Sequence, residues 1–138
     1  MTCCNLLYLV SKSLRPFFCY YGGKWRAAKR YPKPIHNHII EPFAGGAGYS
    51  LRYPHLDVTL CDVDPIIYGV WNYLIKSTPE EIRNLPIKVN HVDDFNIPQE
   101  AKWLIGFWLN KACVSPRLTP SAWMRQTYRS AEGASIAG

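Results

Sequence analysis

The chain contains no apolar run approaching the ~20 residues that a membrane-spanning helix requires. Its opening stretch, Cys3-Cys4-Asn5-Leu6-Leu7-Tyr8-Leu9-Val10, is apolar but short. No positive residue precedes it and no small-residue cleavage site follows, so neither an anchor nor a secretory signal is expected. The five cysteines (Cys3, Cys4, Cys19, Cys61, Cys113) form no Cys-x-x-Cys pair and no zinc-like spacing. An odd, scattered set suits buried free thiols in a reducing cytoplasm. Internal repeats and low-complexity blocks are also lacking. What remains is one domain or a piece of one: 138 residues, 48% hydrophobic and 14% aromatic, enough for a core and too apolar for wholesale disorder.

Acid is scarce at both ends. Residues 1–40 carry seven Lys/Arg and no acid, residues 41–100 four bases and nine acids, and residues 101–138 five bases and one acid. Two basic ends around an acidic middle fit a polyanionic partner, most simply nucleic acid; an ordinary basic surface gives the same count.

Two nucleotide-binding fingerprints are incomplete. Gly46-Ala47-Gly48 supplies the first half of Gly-x-Gly-x-x-Gly, but the third glycine would fall at Leu51, which weakens a dinucleotide reading. A phosphate-binding loop at Gly22-Gly23-Lys24 would need glycine at Phe18 and Ser/Thr at Trp25 and has neither. A different pattern is present. Glu41-Pro42-Phe43-Ala44-Gly45-Gly46-Ala47-Gly48 follows an apolar run, and a second apolar run ends at Cys61-Asp62-Val63-Asp64. Glycines after one strand let backbone approach a ligand, and a carboxylate at the end of the next accepts hydrogen bonds from ribose hydroxyls. Plain turn glycines are the structural alternative.

The pattern predicts strands over 35–40 and 57–61, a short basic helix within 24–30 stopped by Pro32 and Pro34, and a short helix near 49–53. Asp64 and Pro65 read as N-cap and first position of a helix over 65–76, and Thr78-Pro79-Glu80-Glu81 as a second helix start. Residues 86–99 read as loop and 100–112 as an apolar helix, with Trp103, Phe107 and Trp108 as core. Beyond Ser115 the pattern fades, and the closing residues 130–138 read as small and flexible. Strand, glycine loop, helix, strand, acid, helix is the first half of a parallel α/β sheet, with its ligand at the carboxyl ends of the strands. Two strands alone do not make such a sheet, so an incomplete domain is expected.

Tyr20-Tyr21-Gly22-Gly23-Lys24, the 41–48 loop and Asp62-Val63-Asp64, in this order and spacing, resemble the Dam-like DNA adenine methyltransferases, over about residues 16–75. The resemblance implies a Rossmann-like α/β methyltransferase fold, S-adenosylmethionine as cofactor and double-stranded DNA as partner. It also implies a monomer in a bacterial or phage-infected cytoplasm, with no membrane and no metal. By the same resemblance Lys24 pairs with the methionine carboxylate, Tyr20 lines the pocket, and Phe43 with Gly45, Gly46 and Gly48 passes under the amino-acid part. Asp62 binds the ribose, while Asp64 is only a helix cap. The resulting division is an unassigned extension at 1–13, a cofactor-binding part at 14–76 and a partial helical target-recognition region with a flexible tail at 77–138.

The family's Asp-Pro-Pro-Tyr motif is missing. Its carboxylate and carbonyl accept hydrogen bonds from the adenine amine, and its ring stacks on a flipped base. Asp64-Pro65-Ile66-Ile67 is a chance partial match at the wrong strand. The expectation is therefore the N-terminal portion of a site-specific adenine methyltransferase, a truncated reading frame with no catalytic residue and no methyl transfer of its own. The DNA-contact candidates are Lys111, Arg117, Arg125 and Arg129, with Lys24, Arg26, Lys29, Arg30 and Lys33 as further phosphate contacts. His36 and His38 share a strand face but lack a third ligand for a metal. A non-catalytic nucleic-acid-binding module with a merely structural glycine loop is the competing reading; cofactor binding separates the two.

Overall fold

The computed structural model describes residues 1–6 and 13–136. Three strands, β1 (Thr2–Leu6), β2 (His38–Glu41) and β3 (Asp57–Asp62), form one sheet in the order β1-β3-β2. β2 and β3 run parallel, His38 opposite Asp57 and Glu41 opposite Leu60, as the alternation of strand, loop and strand predicts. The third strand comes from the N-terminal stretch left unassigned by the sequence pattern, and it runs antiparallel. Thr2 lies opposite Asp62 and Leu6 opposite Val58. The sheet is therefore mixed and small, and among the described residues no strand follows β3.

This register corrects the reading of the cysteines as uniformly free. Cys3 and Cys61 are cross-strand partners and are joined by a disulfide. A spacing of 58 residues gives no hint of the pairing, because it arises only from the antiparallel docking of β1. Cys19 and Cys113 are free.

Helix α1 (Pro65–Lys76) begins as its sequence dictates, with Pro65 at the first position and the Asp64 carboxylate accepting the Ile66 N–H. α2 (Pro79–Arg83) opens with a reciprocal capping box between Thr78 and Glu81. α3 (Gln99–Trp108) is shorter than the apolar stretch suggests. Its last turn closes with the Leu109 N–H on the Ile105 carbonyl, and the Asn110 amide turns to the Ala112 carbonyl. The strand expected over 35–40 starts only at His38, and the short helices near 24–30 and 49–53 are single 3₁₀ turns at Ala27–Arg30 and Ser50–Arg52.

The largest departure is α4 (Ala122–Ile136), where no finished element is expected. Ser121 supplies the start, its hydroxyl accepting the Met124 N–H, and alanine, arginine and glutamine then favour the helical backbone. Most of its described side chains face outward; Met124 packs against the core, and Tyr128 reaches back, its hydroxyl donating to the Ile87 carbonyl.

A single core joins sheet and helices. Leu51, Leu60, Ile67, Trp71, Leu104 and Phe107 are fully buried, and Phe18 packs between Trp71 and Phe107 with ring centroids 5.7 and 5.0 Å away. The residues after 76 thus pack on the same core as the sheet. Trp108 donates its indole N–H to the Phe17 carbonyl, so the aromatic stretch before the first glycines is held down by α3.

Candidate functional site

The carboxyl ends of β2 and β3 lie side by side, and each delivers one part of a cavity. From β2 the chain leaves through Glu41 into the glycine loop; from β3 it leaves through Asp62 into the cap of α1. A third segment, residues 20–24, crosses in front. It is tied to the segment that follows the 99–108 helix by a parallel bridge between Tyr20 and Cys113, with the Tyr21 N–H on the Cys113 carbonyl at 3.1 Å. Gly22, with φ +75°, turns it so that the Gly23 N–H meets the Tyr20 carbonyl. The three segments enclose a cavity of about 330 Å³ whose walls include Tyr20, Lys24, Phe43, Gly45, Gly46, Gly48 and Asp62. Every residue expected at a cofactor site is brought to this one cavity.

Close approach explains two of the glycines. A Cβ at Gly48 would lie 2.5 Å from the Trp25 nitrogen and 2.8 Å from the Lys24 carbonyl carbon, so the loop and the crossing segment touch main chain to main chain. At Gly45, φ is +45° and a Cβ would lie 3.0 Å from the Tyr20 ring. The Gly45 peptide is fixed from both ends. Its N–H donates to Asp62 Oδ2 at 3.0 Å, and its carbonyl accepts the buried Trp71 indole N–H at 2.7 Å.

Asp62 has a second partner, the Asp64 N–H on Oδ1 at 3.0 Å. Two backbone donors fill about half the lone-pair capacity of an ionised carboxylate and leave the rest for a ligand. Tyr20 is half-buried beside it. Loss of solvent, and then the negative charges of Asp62 and Asp64, raise its phenol above the ordinary value, which keeps the hydroxyl neutral.

Lys24 is exposed at the rim, and among the described residues no carboxylate holds its ammonium in an ion pair. Glu41, by contrast, is turned inward. Its Oε2 accepts the Ser50 hydroxyl and the Ser50 N–H at 3.2 Å, which fastens the far end of the glycine loop to the end of β2. Burial raises its carboxyl above the usual glutamate range, offset in part by the Ser50 hydrogen bonds and the Lys24 charge. Phe43 is largely exposed and stands between this cavity and a more apolar hollow of about 570 Å³ along the outer edge of β2. That hollow lacks Asp62 and the glycines, so the smaller cavity is the chemically furnished one.

Sequence reasoning misses three contributors: Trp71 and Glu41, which anchor the loop, and Ser50, the buried partner of Glu41. Trp71 reads as one more apolar position of an amphipathic helix; only a glutamate closing an apolar strand gives a signal.

The DNA-contact candidates do not form one group. Lys111 lies against the N-terminal basic segment. Arg117 turns back to the Thr119 carbonyl at 3.1 Å and Arg125 to the Pro120 carbonyl at 2.6 Å, and Arg129 lies on the exposed face of α4. His38 bonds Thr59 at 2.8 Å. Among the described residues, no group of three or more His, Cys, Asp or Glu could hold a metal ion, and no helix is long and apolar enough to cross a membrane.

The family model for the D12 class N6 adenine-specific DNA methyltransferases matches residues 20–101, well over half of the chain. The chain belongs to this family. No curated protein and no solved structure matches it. The match begins at Tyr20, on the crossing segment, and runs through the glycine loop and Asp62 into α3, so it contains all three walls of the cavity. Membership implies the family's chemistry, methyl transfer to DNA, with DNA as the family's substrate.

Proposed function

We propose that the cavity binds S-adenosylmethionine and that these residues form the cofactor-holding part of an adenine-specific DNA methyltransferase. The observation that carries the reading is the convergence of Lys24, the glycine loop and Asp62, some 20 residues apart in sequence, on one cavity. The donor set fits the molecule. A lysine ammonium in no ion pair among the described residues suits a carboxylate, a carboxylate with spare lone pairs suits a ribose diol, and bare backbone at Gly46 and Gly48 leaves room between them. When bound, the cofactor supplies an electrophilic methyl group on a sulfonium.

The chain's own residues hold and orient. Lys24 fixes the amino-acid end, Asp62 fixes the sugar, and Trp71 and Glu41 keep the loop between them in one shape. Tyr20, neutral and pressed against Gly45, closes one side. No Asp-Pro-Pro-Tyr occurs in the sequence, so no residue here accepts the adenine amine in the family's manner. We therefore expect cofactor binding without methyl transfer by these residues, acting as a monomer in a cytoplasm.

Titration calorimetry with S-adenosylmethionine tests this. Lys24→Ala removes a charge-assisted contact of about 1.5–3 kcal/mol and is expected to weaken binding about 10- to 150-fold with stability unchanged. Asp62→Ala is expected to lower both, because the same carboxylate holds the Gly45 and Asp64 amides. A folded protein that gives no heat would refute the reading and favour a nucleic-acid-binding module. Methyl transfer to unmethylated DNA from labelled cofactor would show that a catalytic group lies elsewhere in the chain.

A further inference from the structure

Beside the cofactor cavity, on the other side of the crossing segment, lies a groove of about 630 Å³. Five cations, Arg15, Lys24, Arg26, Lys29 and Lys111, line it, and no carboxylate does. All five are exposed, and none is in an ion pair with a carboxylate of the described residues. Several other positive side chains are turned onto the protein: Arg52 onto the Trp25 carbonyl at 2.7 Å, Arg83 onto Glu80, Lys102 onto Asp93, Arg117 and Arg125 onto nearby carbonyls; Arg30, Lys33, Lys76 and Arg129 are exposed but lie outside the groove. The groove gathers five exposed charges in one place.

Its composition is a product of the fold. Lys111 is more than 80 positions from the others in sequence and arrives through the bridge between Tyr20 and Cys113. The groove also shares a wall with the cavity, since Tyr20, Gly23, Lys24, Gly46 and Gly48 line both. A base that is to reach the cofactor must leave the duplex, and its backbone must then pass close to the cavity mouth. A carboxylate-free channel of unpaired cations against that mouth is suited to hold the phosphates of that strand.

We propose that this groove, through Arg15, Arg26, Lys29 and Lys111, seats the DNA sugar–phosphate backbone. The C-terminal arginines are not the main contact surface. The proposal rests on the assignment of the neighbouring cavity to S-adenosylmethionine, and its test separates the two.

The measurement is fluorescence anisotropy of a labelled short DNA duplex, and of one of its single strands, over a series of salt concentrations. Each phosphate neutralised contributes about 0.9 to the slope of log K against log salt for duplex and about 0.7 for single strands. The triple variant Arg26→Gln/Lys29→Gln/Lys111→Gln is expected to lose about 2.7 of that slope on duplex, or about 2.1 if the site prefers a single strand. Single Arg26→Gln and Lys111→Gln variants should each lose about one unit. Arg117→Gln/Arg125→Gln/Arg129→Gln removes the same charge and is expected to keep the slope. In all of them the calorimetric heat with S-adenosylmethionine should remain. Equal losses in the two triple variants would mean that net charge alone attracts DNA and would overturn the proposal, as would a groove variant that binds like the parent. Loss of DNA affinity with the cofactor heat intact supports it. A missing cofactor heat in the parent protein, with the slope difference preserved, would refute only the cavity's assignment.

Discussion

The contact between the glycine loop and the crossing segment is open to a sharp steric test. Alanine at Gly48 would place a methyl carbon 2.5 Å from the Trp25 nitrogen, 2.8 Å from the Lys24 carbonyl carbon and 3.1 Å from the Lys24 nitrogen. Non-bonded atoms relax at about 3.5–4.0 Å, so residues 24–25 must retreat by about 1 Å. All three neighbours are main chain, and no change of rotamer relieves them. Retreat is also resisted, because Arg52 donates two hydrogen bonds to the Trp25 carbonyl at 3.1 and 2.7 Å and the Lys24 carbonyl accepts the Ala28 N–H at 2.7 Å. Overpacking against a fixed wall costs about 1–3 kcal/mol. Urea unfolding of Gly48→Ala should show that loss as a lower midpoint at unchanged slope. Lys24 moves with the wall, so affinity for S-adenosylmethionine should fall about tenfold or more, the lower end of what a charge-assisted contact provides. Gly46→Ala is the internal control. There a Cβ meets only the Phe18 oxygen at 3.7 Å and the Tyr20 Cβ at 3.8 Å, ordinary contacts, with φ outside the left-handed region. It should change stability by less than about 1 kcal/mol. If Gly48→Ala and Gly46→Ala behave alike in both measurements, the proposed main-chain contact does not exist and the site is not built as described.

Glu41 should make stability depend on pH. Its folded value lies above the 4.5 of a free glutamate, chiefly through burial, so its contribution is full below that value and is lost as pH rises through the higher folded one. Glu41→Gln, which keeps an acceptor for Ser50, should flatten the profile just above pH 4.5; a parent protein that gains stability over that interval relative to the variant would contradict this. Trp71→Phe strands the buried Gly45 carbonyl and should cost about 1–3 kcal/mol in urea unfolding, with cofactor affinity lowered as the loop loosens, whereas a loss below about 0.5 kcal/mol would mean that another donor serves that carbonyl. Opening the Cys3–Cys61 bond releases a closure spanning 58 positions, worth up to about 4 kcal/mol in the chain-entropy account. Thermal unfolding of oxidised protein against Cys3→Ser measures it, and coincident curves would show that β1 holds to β3 without the bond.

Much of the site was legible because its parts are local. Asp64-Pro65 and Thr78-Pro79-Glu80-Glu81 define helix starts with their own side chains, and the structure places α1 and α2 where those residues point. The parallel pair β2–β3 follows from two apolar runs with a short crossover. What was not legible depends on chain segments distant from each other. The antiparallel β1 and its disulfide arise from docking of the N-terminal residues on β3, and nothing within residues 1–6 announces a partner near residue 60. Helix α4 lacks a strong apolar stripe because it lies on the surface, so periodicity, which reports burial, says little about it. Lys111 could not be assigned to the N-terminal cations from its sequence neighbours, only from the bridge that carries it there.

Asp62 illustrates the difference between naming a site residue and knowing its work. By position it is the acid at the end of the second parallel strand, and a ribose is the ligand proposed for it. In the fold both of its oxygens already accept backbone donors, one from the glycine loop and one from the cap of α1. The carboxylate therefore ties together the two connections between which a ligand would lie, and the Gly45 peptide it holds is gripped at its other end by Trp71. The proposed cofactor binding and the order of the loop then depend on one group. A ligand that adds hydroxyl donors to Asp62 meets an acceptor whose position is already set, so little ordering remains to oppose binding. The same coupling means that affinity lost on substituting Asp62 contains the loosening of residues 44–46 as well as the missing ribose contact. Lys24, which is exposed and in no ion pair among the described residues, holds no part of the loop by a side-chain hydrogen bond and reports on the ligand more directly. The two residues are thus unequal witnesses to one site, and a loss at Lys24 with the fold intact is the stronger evidence that a cofactor occupies it.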